Sequence, residues 1–263
     1  MLERERVIVK EAVRRAGEAI LRIADEHYQE AVAQADRTVL TEADLAADRI
    51  LREALTSEFP DDGWLSEETK DNDRRLNCAR VWIVDPMDGT REFVMKTPEY
   101  VVSVALVEQG QGILGVIYNP VTSELFEAVK GQGVKLNGEP VAPNPMLKAR
   151  PRVEVSRSDI EKGKFADYES KCDLCPCGSI AYKLARLAVG QSDSTLSVTP
   201  KNEWDIAAGV VLVTEAGGMV TDLDGAAYTF NQPDTLVNGV IAANRSTYPV
   251  IRDLVDRVSN STS

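Results

Sequence analysis

The chain has 263 residues, and its 42 acidic and 30 basic side chains give a net charge of −12 at pH 7. Nucleic-acid polymers and anionic membranes are bound by clustered Lys and Arg, so this charge excludes both as expected partners. No apolar run reaches the roughly 18 to 20 residues of a membrane-spanning helix, and residues 1–6 lack the apolar core of a signal peptide. We therefore expect a cytoplasmic protein.

Cysteine and histidine are too scarce to organise most metal or triad chemistry. The four cysteines are expected to be thiols rather than a disulfide framework. The only histidine is His27, on the first predicted helix, so a Ser-His-Asp triad or a His-rich zinc site would depend on it alone. Carboxylate chemistry is therefore the default expectation.

Two helices are predicted at the start of the chain. The first runs to about Ala33, because apolar residues recur at spacings of four and three and form one stripe: Val9, Val13, Ala16, Ile20 and Ile23. The second is predicted to begin at Thr41, whose hydroxyl can cap the helix while Asp44 takes the acidic position of a capping-box-like pattern. It should end near Ser57.

Strand signals dominate the middle of the chain. A short strand begins at Trp64 and leads into the adjacent acids Glu67 and Glu68, and residues 69–80 are polar enough to predict an irregular loop. Apolar runs separated by Gly-containing turns then predict an antiparallel meander rather than βαβ units, with strands at 81–84, 101–107, 113–118, 125–129 and 134–136.

The second half of the chain is predicted to alternate strands and helices. The expected strands are 152–155, 195–198 and 240–243, and the expected helices are 179–189, 204–216 and 247–258. The Pro-rich residues 140–151 form the best candidate boundary. We therefore expect two halves, 1–145 with the antiparallel sheet and 146–263 with an α/β arrangement, packed as one compact unit.

The densest chemistry lies directly after the predicted strand 81–84. Asp85 and Asp88 are three positions apart there, and Gly89 and Thr90 follow them in a polar loop. Carboxylates crowded this closely repel one another unless a cation lies between them. Because Mg²⁺ prefers oxygen ligands, two carboxylates and a backbone carbonyl can form part of its coordination shell.

Two other acids are the expected suppliers of the missing oxygens. Glu67 follows the short strand before the loop, and Asp205 lies at the predicted start of a helix, where unpaired backbone amides also suit a phosphate. Together with the first two carboxylates, they make a divalent-metal site the leading interpretation.

The same loop has a second interpretation, as the nucleophile loop of dehalogenase-type phosphatases. In those enzymes the two acids stand two positions apart, so that the first attacks phosphorus and the second protonates the leaving group. Asp85 and Asp88 are three apart, and Pro86 stiffens the backbone between them. The spacing therefore favours the metal site.

Taken in order, these motifs resemble the inositol monophosphatase superfamily. They extend from residues 41–44 to 241–244 and include 66–68, 85–90, 178–179, 204–209 and 215–218. Each motif is weak alone, but the combination in this order is specific. The resemblance implies an α/β (α+β) fold, a layered αβαβα sandwich of the inositol monophosphatase and fructose-1,6-bisphosphatase type, and a phosphoric monoester hydrolase.

The resemblance also implies roles for single residues. Two or three Mg²⁺ ions would be bound by Glu67, Asp85, the carbonyl of Met87, Asp88 and Asp205. Thr90 and Glu67 would orient a metal-activated water for attack on the phosphate, without a covalent intermediate. Asp44 resembles the acid near the family's mobile N-terminal loop, and its alternative role is helix capping alone.

Substrate contacts are implied at the loop and at two later segments. The amides of Gly89 and Thr90 would cradle the phosphate, and further candidate contacts are Arg91, Gly178, Ser179 and Lys201. Among the cations, Arg91, Lys183 and Lys201 could each contact the substrate or serve only as a solvated or structural charge.

The substrate is expected to be a small phosphorylated metabolite. Residues 91–93 and 200–205 resemble the 3′(2′),5′-bisphosphate nucleotidases, which favours hydrolysis of 3′-phosphoadenosine 5′-phosphate to AMP. Residues 198–200 depart from the Gly-Pro-Thr of that branch, so inositol-1-monophosphatase or another sugar-phosphate phosphatase is the alternative. A non-catalytic metabolite-binding protein is the class alternative, although no expected ligand is lost. The resemblance also implies inhibition by Li⁺ and is compatible with a homodimer.

Three cysteines depart from the family pattern. Cys172, Cys175 and Cys177 directly precede the motif at 178–179. With Cys78 they could bind zinc, two of them could form a redox pair, or all could be inert thiols. The sequence leaves these three alternatives open.

Overall fold

The computed structural model describes residues 2–30, 36–142 and 148–261, with side chains described for 2–26, 40–142 and 148–258. The described helices are α1 Glu3–Glu30, α2 Asp36–Glu58, α3 Thr90–Val94, α4 Arg157–Glu161, α5 Ile180–Ala188, α6 Glu203–Glu215 and α7 Tyr248–Ser261. The strands of the first half are β1 Gly63–Ser66, β2 Arg80–Asp88, β3 Val101–Glu108, β4 Gln111–Asn119, β5 Glu124–Val129, β6 Val134–Leu136 and β7 Glu139–Val141. Those of the second half are β8 Arg152–Val155, β9 Asp173–Pro176, β10 Ser194–Ser197, β11 Lys201–Asn202, β12 Met219–Thr221, β13 Leu236–Val237 and β14 Val240–Ala243.

The apolar stripe of the first helix explains its packing. Val9, Val13 and Ile20 are buried in a core that α1 shares with α2 and one face of the first sheet. This burial confirms the predicted helix. Its predicted end near Ala33 lies outside the described residues, and so does the side chain of His27.

Helix α2 begins earlier than predicted. It starts at Asp36, so Thr41 lies inside the helix and is not its N-cap. Leu40 already packs against the α1–α2 core, and this contact favours extension of the helix toward its N-terminus. The capping roles predicted for Thr41 and Asp44 are therefore wrong, and Asp44 is instead buried near other acids.

The first sheet follows the order of the chain. Its seven strands pair from β1 to β7, with β1 and β2 parallel and the later pairs antiparallel, which confirms the meander. Strand β2 continues to Asp88 with an irregular register between Asp85 and Asp88, so the predicted polar loop is a bulged strand end. Residues 69–80 contain a 3₁₀ turn, Asp73–Asn77, because the side chain of Arg75 is buried there.

The second sheet is mixed. Its five strands have the order β12-β14-β10-β8-β9, in which β8 is parallel to β9 and β10, and β14 is antiparallel to β10 and β12. The strands predicted at 152–155, 195–198 and 240–243 are β8, β10 and β14. Strand β9 was not predicted, because its short sequence contains Cys and Pro rather than a β-branched run.

Helices α5 and α6 lie between the two sheets. Their buried residues share one core with residues of the first sheet and with Val240 and Ala242 of the second. Helices α1 and α2 cover the outer face of the first sheet, and α7 covers the second through Tyr248, Ile251 and Val255. The layers are therefore α, β, α, β, α, as predicted.

The division of the chain at residue 145 stays a prediction. The candidate boundary at 140–151 falls partly on residues 143–147, which lie outside the described part of the chain. Among the helices that are described, none has both the length and the hydropathy needed to cross a bilayer.

Candidate functional site

A polar cavity of about 340 Å³ lies where the end of β2 meets α3, α4 and the starts of α5 and α6. It brings together nine residues that the sequence singled out: Asp88, Gly89, Thr90, Arg91, Gly178, Ser179, Lys183, Lys201 and Asp205. Larger grooves of about 780 Å³ between α1 and α2 and about 640 Å³ beside β9 contain none of the expected metal ligands. The small cavity is therefore the candidate active site.

The end of β2 turns directly into α3. Asp85 and Met87 are buried, and Asp85 Oδ1 accepts a hydrogen bond from the Met87 amide at 3.0 Å. Gly89 follows with a φ of 108°, and an added Cβ would approach the Glu99 carbonyl oxygen to 2.7 Å. Glycine is therefore required for the turn that places Thr90, the first residue of α3, at the cavity.

Asp88 is oriented by the start of α5. Its Oδ2 accepts hydrogen bonds from the Ser179 hydroxyl and the Ala181 amide, both at 2.6 Å. Ser179 Oγ also accepts one from the Tyr182 amide at 2.9 Å, so it caps the helix as predicted. Because both bonds to Asp88 use the same oxygen, Oδ1 keeps its lone pairs for another partner.

Asp205 is oriented in the same way by the start of α6. Its Oδ2 accepts a hydrogen bond from the Asn202 amide at 2.8 Å. Burial and the negative charge of Asp88 raise the pKa of Asp205 to about 7, although this bond and the nearby Lys201 act in the opposite direction. The ionised form of Asp205 is therefore destabilised by burial and by Asp88, and the Asn202 amide and Lys201 offset only part of this.

Burial and mutual repulsion dominate the electrostatics of the acids. The pKa of Asp85 lies well above its ordinary value because the group is buried and Asp88, Glu67 and Asp205 are negatively charged. Glu67 is exposed as a whole residue, yet burial of its carboxyl group and the charge of Asp88 raise its pKa to about 6. Burial is also the main cause that raises the pKa of Asp44 to about 8.

These acids are neighbours without forming a closed coordination shell. Among the residues that the structure describes, no group of three or more His, Cys, Asp or Glu side chains already has an arrangement that could hold a metal ion. Hydrogen bonds to backbone amides help to keep the shell open, because one carboxylate oxygen of Asp88 and one of Asp205 are bonded to amides and not directed at a shared ion site. A cation bound here would relieve the repulsion that raises the pKa values.

Arg91 lines the cavity but also forms an ion pair. Its Nη2 donates a hydrogen bond to Glu161 Oε2 of α4 at 3.3 Å, with the two side chains 45% and 64% exposed. Exposed pairs of this kind contribute little stability, so the pair can open. A substrate contact by Arg91 stays a prediction.

Lys183 and Lys201 give the cavity wall positive charge. Lys183 is 4% exposed, and burial is the main cause that lowers its pKa. Its Nζ donates a long hydrogen bond of 3.4 Å to the Cys177 carbonyl, and the charge of Asp88 favours its protonated form. Lys183 lines the cavity although its neighbours on α5 are mostly buried apolar residues, and a substrate contact by this residue stays a prediction.

Helix α4 lines a part of the cavity that no sequence motif predicted. It and its flanking residues contribute Ser156, Ser158, Asp159 and Lys162 to the lining. The signal that could have found them is a polar run directly after the end of β8, which parallels the run after residue 84 in β2. The cavity is therefore walled by residues from both halves of the chain.

An ion pair attaches α4 to the first half of the chain. The Arg157 guanidinium donates two hydrogen bonds to the Glu99 carboxylate, and Glu99 Oε2 also accepts one from the Gly178 amide at 2.6 Å. An added Cβ at Gly178 would lie 2.2 Å from the Glu92 side chain, so glycine is needed for this close approach.

The clustered cysteines are separated by β9. Cys172 is buried in the core beneath α7, whereas Cys177 is buried in the core between the two sheets. Cys175 lies partly exposed on β9, and these three thiols and Cys78 are all free. Because Cys172 and Cys177 lie in different cores, they do not form a redox pair with each other. Among the described residues, no three cysteines are grouped as a zinc site would require.

Comparison with known proteins agrees with this geometry. Residues 1–259 match the model of the inositol monophosphatase family. The chain belongs to this family. The 3′(2′),5′-bisphosphate nucleotidase CysQ of Escherichia coli (strain K12) is 32% identical over 238 residues, which cover 88% of this chain and 95% of that protein.

Two further relatives of this chain support its place in the inositol monophosphatase family. A fructose-1,6-bisphosphatase/inositol-1-monophosphatase of Thermotoga maritima is 33% identical over 227 residues, which cover 84% of this chain and 86% of that protein. The crystal structure of CysQ from Bacteroides thetaiotaomicron has a TM-score of 0.76 and 30% identity, and the match covers 93% of this chain and 99% of that chain. The layered fold and the phosphoric monoester hydrolase class are thereby confirmed.

Proposed function

We propose that this family member is a Mg²⁺-dependent phosphomonoesterase that removes one phosphate from a 3′(2′),5′-bisphosphate nucleotide, most simply 3′-phosphoadenosine 5′-phosphate. The observation that carries the proposal is that Asp88, Asp205, Lys183 and Lys201 line one cavity. They are close enough for the charge of Asp88 to act on the pKa of Lys183 and for that of Lys201 to act on the pKa of Asp205. Carboxylates suit a divalent cation, and ammonium groups suit phosphate oxygens. The cavity can therefore accommodate both a cation and a phosphate.

The expected ligands fit Mg²⁺ in chemistry. Glu67, Asp85, Asp88 and Asp205 offer carboxylate oxygens, Met87 offers a backbone carbonyl, and the set contains no soft sulfur ligand. Buried carboxylates that raise one another's pKa are a setting in which a divalent cation is stabilising. Binding would require the carboxylates to turn toward the ion, and two or three ions follow from the family resemblance.

The protein's own groups would prepare the reaction. A bound divalent cation supplies a lowered pKa for a coordinated water and neutralises charge on the phosphate. Thr90 and Glu67 are assigned the orientation of the attacking water. Burial and the negative charges of Glu68 and Glu67 raise the pKa of Asp44 to about 8. A cation bound near these acids would offset their charge and lower this pKa again.

The lysines favour a substrate that carries a second phosphate. The Lys183 ammonium is desolvated and makes one long hydrogen bond to a carbonyl among the described residues. A phosphate oxygen carries a full negative charge whereas the carbonyl oxygen is only a dipole, so a phosphate would be a better partner for the ammonium. The 32% identity to a CysQ bisphosphate nucleotidase supports the same substrate class.

A second candidate is an inositol-1-monophosphatase or another sugar-phosphate phosphatase. Hydroxyl side chains line the cavity and could bond sugar hydroxyls: Ser156, Ser158, Ser197 and Thr199. The name of the Thermotoga maritima relative includes both fructose-1,6-bisphosphatase and inositol-1-monophosphatase. The lysines would then contact the reacting phosphate itself.

A phosphate-release assay tests the proposal. The substrates are 3′-phosphoadenosine 5′-phosphate, inositol 1-phosphate and fructose 1,6-bisphosphate, each with saturating Mg²⁺, with excess chelator and with added Li⁺. We expect the nucleotide to react fastest, chelator to abolish release and Li⁺ to inhibit it. A preference for inositol 1-phosphate would replace the substrate assignment, and full activity in chelator would exclude the metal mechanism.

A further inference from the structure

Arg75 and Glu203 belong to a buried polar network behind the cavity. They are 2% and 1% exposed. Arg75 lies in the 3₁₀ turn between β1 and β2, whereas Glu203 is the first residue of α6, two positions before Asp205. Charges buried this deeply are costly unless they are well hydrogen-bonded, so their contacts are informative.

The Arg75 guanidinium joins segments that are distant in sequence. It holds the two Asp71 carboxylate oxygens at 2.8 Å, and it donates to Asn231 Oδ1 at 2.7 Å and to the Gln232 carbonyl at 2.9 Å. Asn231 Nδ2 donates in return to the Arg75 carbonyl at 3.2 Å. Residues 231–232 are thereby fixed against the turn.

Glu203 binds the same loop through the backbone. Its Oε2 accepts a hydrogen bond from the Asn231 amide at 2.6 Å, and its Oε1 accepts one from the Gln232 amide at 2.8 Å. The amide of Glu203 donates to the Thr235 carbonyl at 2.9 Å. The first residue of α6 is therefore tied to a loop that Arg75 holds in place.

We propose that Arg75 and Glu203 are positioning residues that hold the first turn of α6, and through it Asp205, in the orientation that divalent-cation binding requires. This inference rests on the proposed function, in which Asp205 is a cation ligand. Glu203 acts through the backbone, because both of its carboxylate oxygens are bonded to loop amides. Groups that hydrogen-bond a metal ligand directly typically change metal affinity roughly 10- to 100-fold when they are removed, and Glu203, which acts one step further away, is expected at the lower end of that range.

The other end of α6 offers a matched control. Glu215 is the last residue of the helix, and its Oε2 accepts hydrogen bonds from the amides of Gln132 and Gly133 at 3.1 and 3.0 Å. The helical rise places it about 18 Å from Glu203 along the axis. A Glu→Gln change at either residue removes a charge that is bonded to two backbone amides, but only Glu203 is close to Asp205.

The test measures Mg²⁺ and Mn²⁺ affinity of the full chain by isothermal titration calorimetry, together with kcat and the KM for Mg²⁺ in phosphate release. Glu203→Gln places an NH₂ donor against a backbone N–H, so cation affinity is expected to fall roughly tenfold while kcat at saturating Mg²⁺ changes little. Glu215→Gln is expected to leave cation affinity unchanged. Thermal unfolding of both variants reports whether they are folded.

The outcomes separate this inference from the function on which it rests. Equal cation affinity in folded Glu203→Gln and Glu215→Gln would overturn the positioning role. An absence of cation binding in the wild type would overturn the proposed function itself, and unchanged binding in Asp205→Asn would exclude Asp205 as a ligand and overturn the inference with it. If Glu203→Gln does not fold, Arg75→Lys decides, because it keeps the charge but loses the planar fork, and unchanged affinity there overturns the inference.

Discussion

The candidate site has an acidic part, which consists of Glu67, Asp85, Asp88 and Asp205, and a cationic part, which consists of Lys183 and Lys201. The two parts are built in different ways. Asp88 lines the cavity and Asp85 is buried three positions before it on the same bulged strand end, so a short stretch of sequence places the two acids together. Lys183 lies inside α5 and Lys201 on the short strand β11, and only the packing of α5 and α6 between the sheets brings them to one cavity. Two of the proposed cation ligands are thus placed by one local motif, whereas Asp205 and both lysines reach the cavity only through tertiary packing.

The largest effect is expected from changes to the acidic part. Asp85→Asn and Asp88→Asn each remove a proposed ligand, so phosphate release should fall by more than the roughly 100-fold loss typical of changes around a metal ligand. Asn at residue 85 can still accept the Met87 hydrogen bond and also relieves repulsion among the acids. We therefore expect Asp85→Asn to melt no lower than the wild type in chelator. Wild-type activity in either variant would contradict the acidic part's role.

A smaller and more selective effect is expected from the cationic part. Lys183→Met keeps the apolar stem and removes the ammonium, which costs a charged hydrogen bond of about 1.5–3 kcal/mol to a substrate phosphate. Values of kcat/KM for 3′-phosphoadenosine 5′-phosphate should therefore fall roughly 10- to 100-fold. Lys130→Met, on the exposed end of the β5 hairpin, is the matched control. An equal loss of kcat/KM in Lys183→Met and Lys130→Met would contradict a specific role of the cationic part in substrate binding.

Mg²⁺ should stabilise the folded chain through the acidic part alone. A ligand at about 100 times its Kd adds roughly 2.7 kcal/mol to the free energy of unfolding. Thermal unfolding with Mg²⁺ and with chelator should therefore give a higher Tm with Mg²⁺ in the wild type and in Lys183→Met. The difference should disappear in Asp205→Asn, and its persistence there would exclude Asp205 as a ligand.

The smallest effect concerns the cysteines, which belong to neither part. Burial raises the pKa of Cys177 to about 12 and also raises the pKa of Cys172, so both are protonated at pH 8 and should react slowly with a thiol reagent. Cys78 and Cys175 are partly exposed and should react first. Timed modification at pH 8 with mass spectrometry measures the order, and phosphate release should stay unchanged after the first two sites react.

Local patterns predicted most of the fold. The stripe of α1 and the strands of the meander were readable because periodicity and turn residues act over a few positions. The start of α2 was misplaced because a Thr-to-Asp pattern also fits a helix interior. The elements α4 and β9 were missed because they are short and owe their structure to neighbouring strands and ion pairs.

In the candidate site, too, the features encoded by local sequence were predictable and those created by tertiary contacts were not. The spacing of Asp85 and Asp88 could be recognised from the sequence, whereas the wall formed by Ser156 and Lys162 could not. The contact between Arg75 and Asn231 joins residues 156 positions apart, and no local pattern encodes such a pair. Sequence motifs therefore located the acids, and the structure was needed to find what surrounds and orients them.

The central claim is that one cavity combines a cation-binding acidic part with a cationic part that recognises a second phosphate. The most direct test compares kcat/KM for 3′-phosphoadenosine 5′-phosphate and for adenosine 3′-phosphate at saturating Mg²⁺, because the two substrates differ only in the 5′-phosphate. We expect the bisphosphate to be preferred roughly tenfold or more, as one charged hydrogen bond allows. Equal values, or a preference for the monophosphate, would contradict the claim.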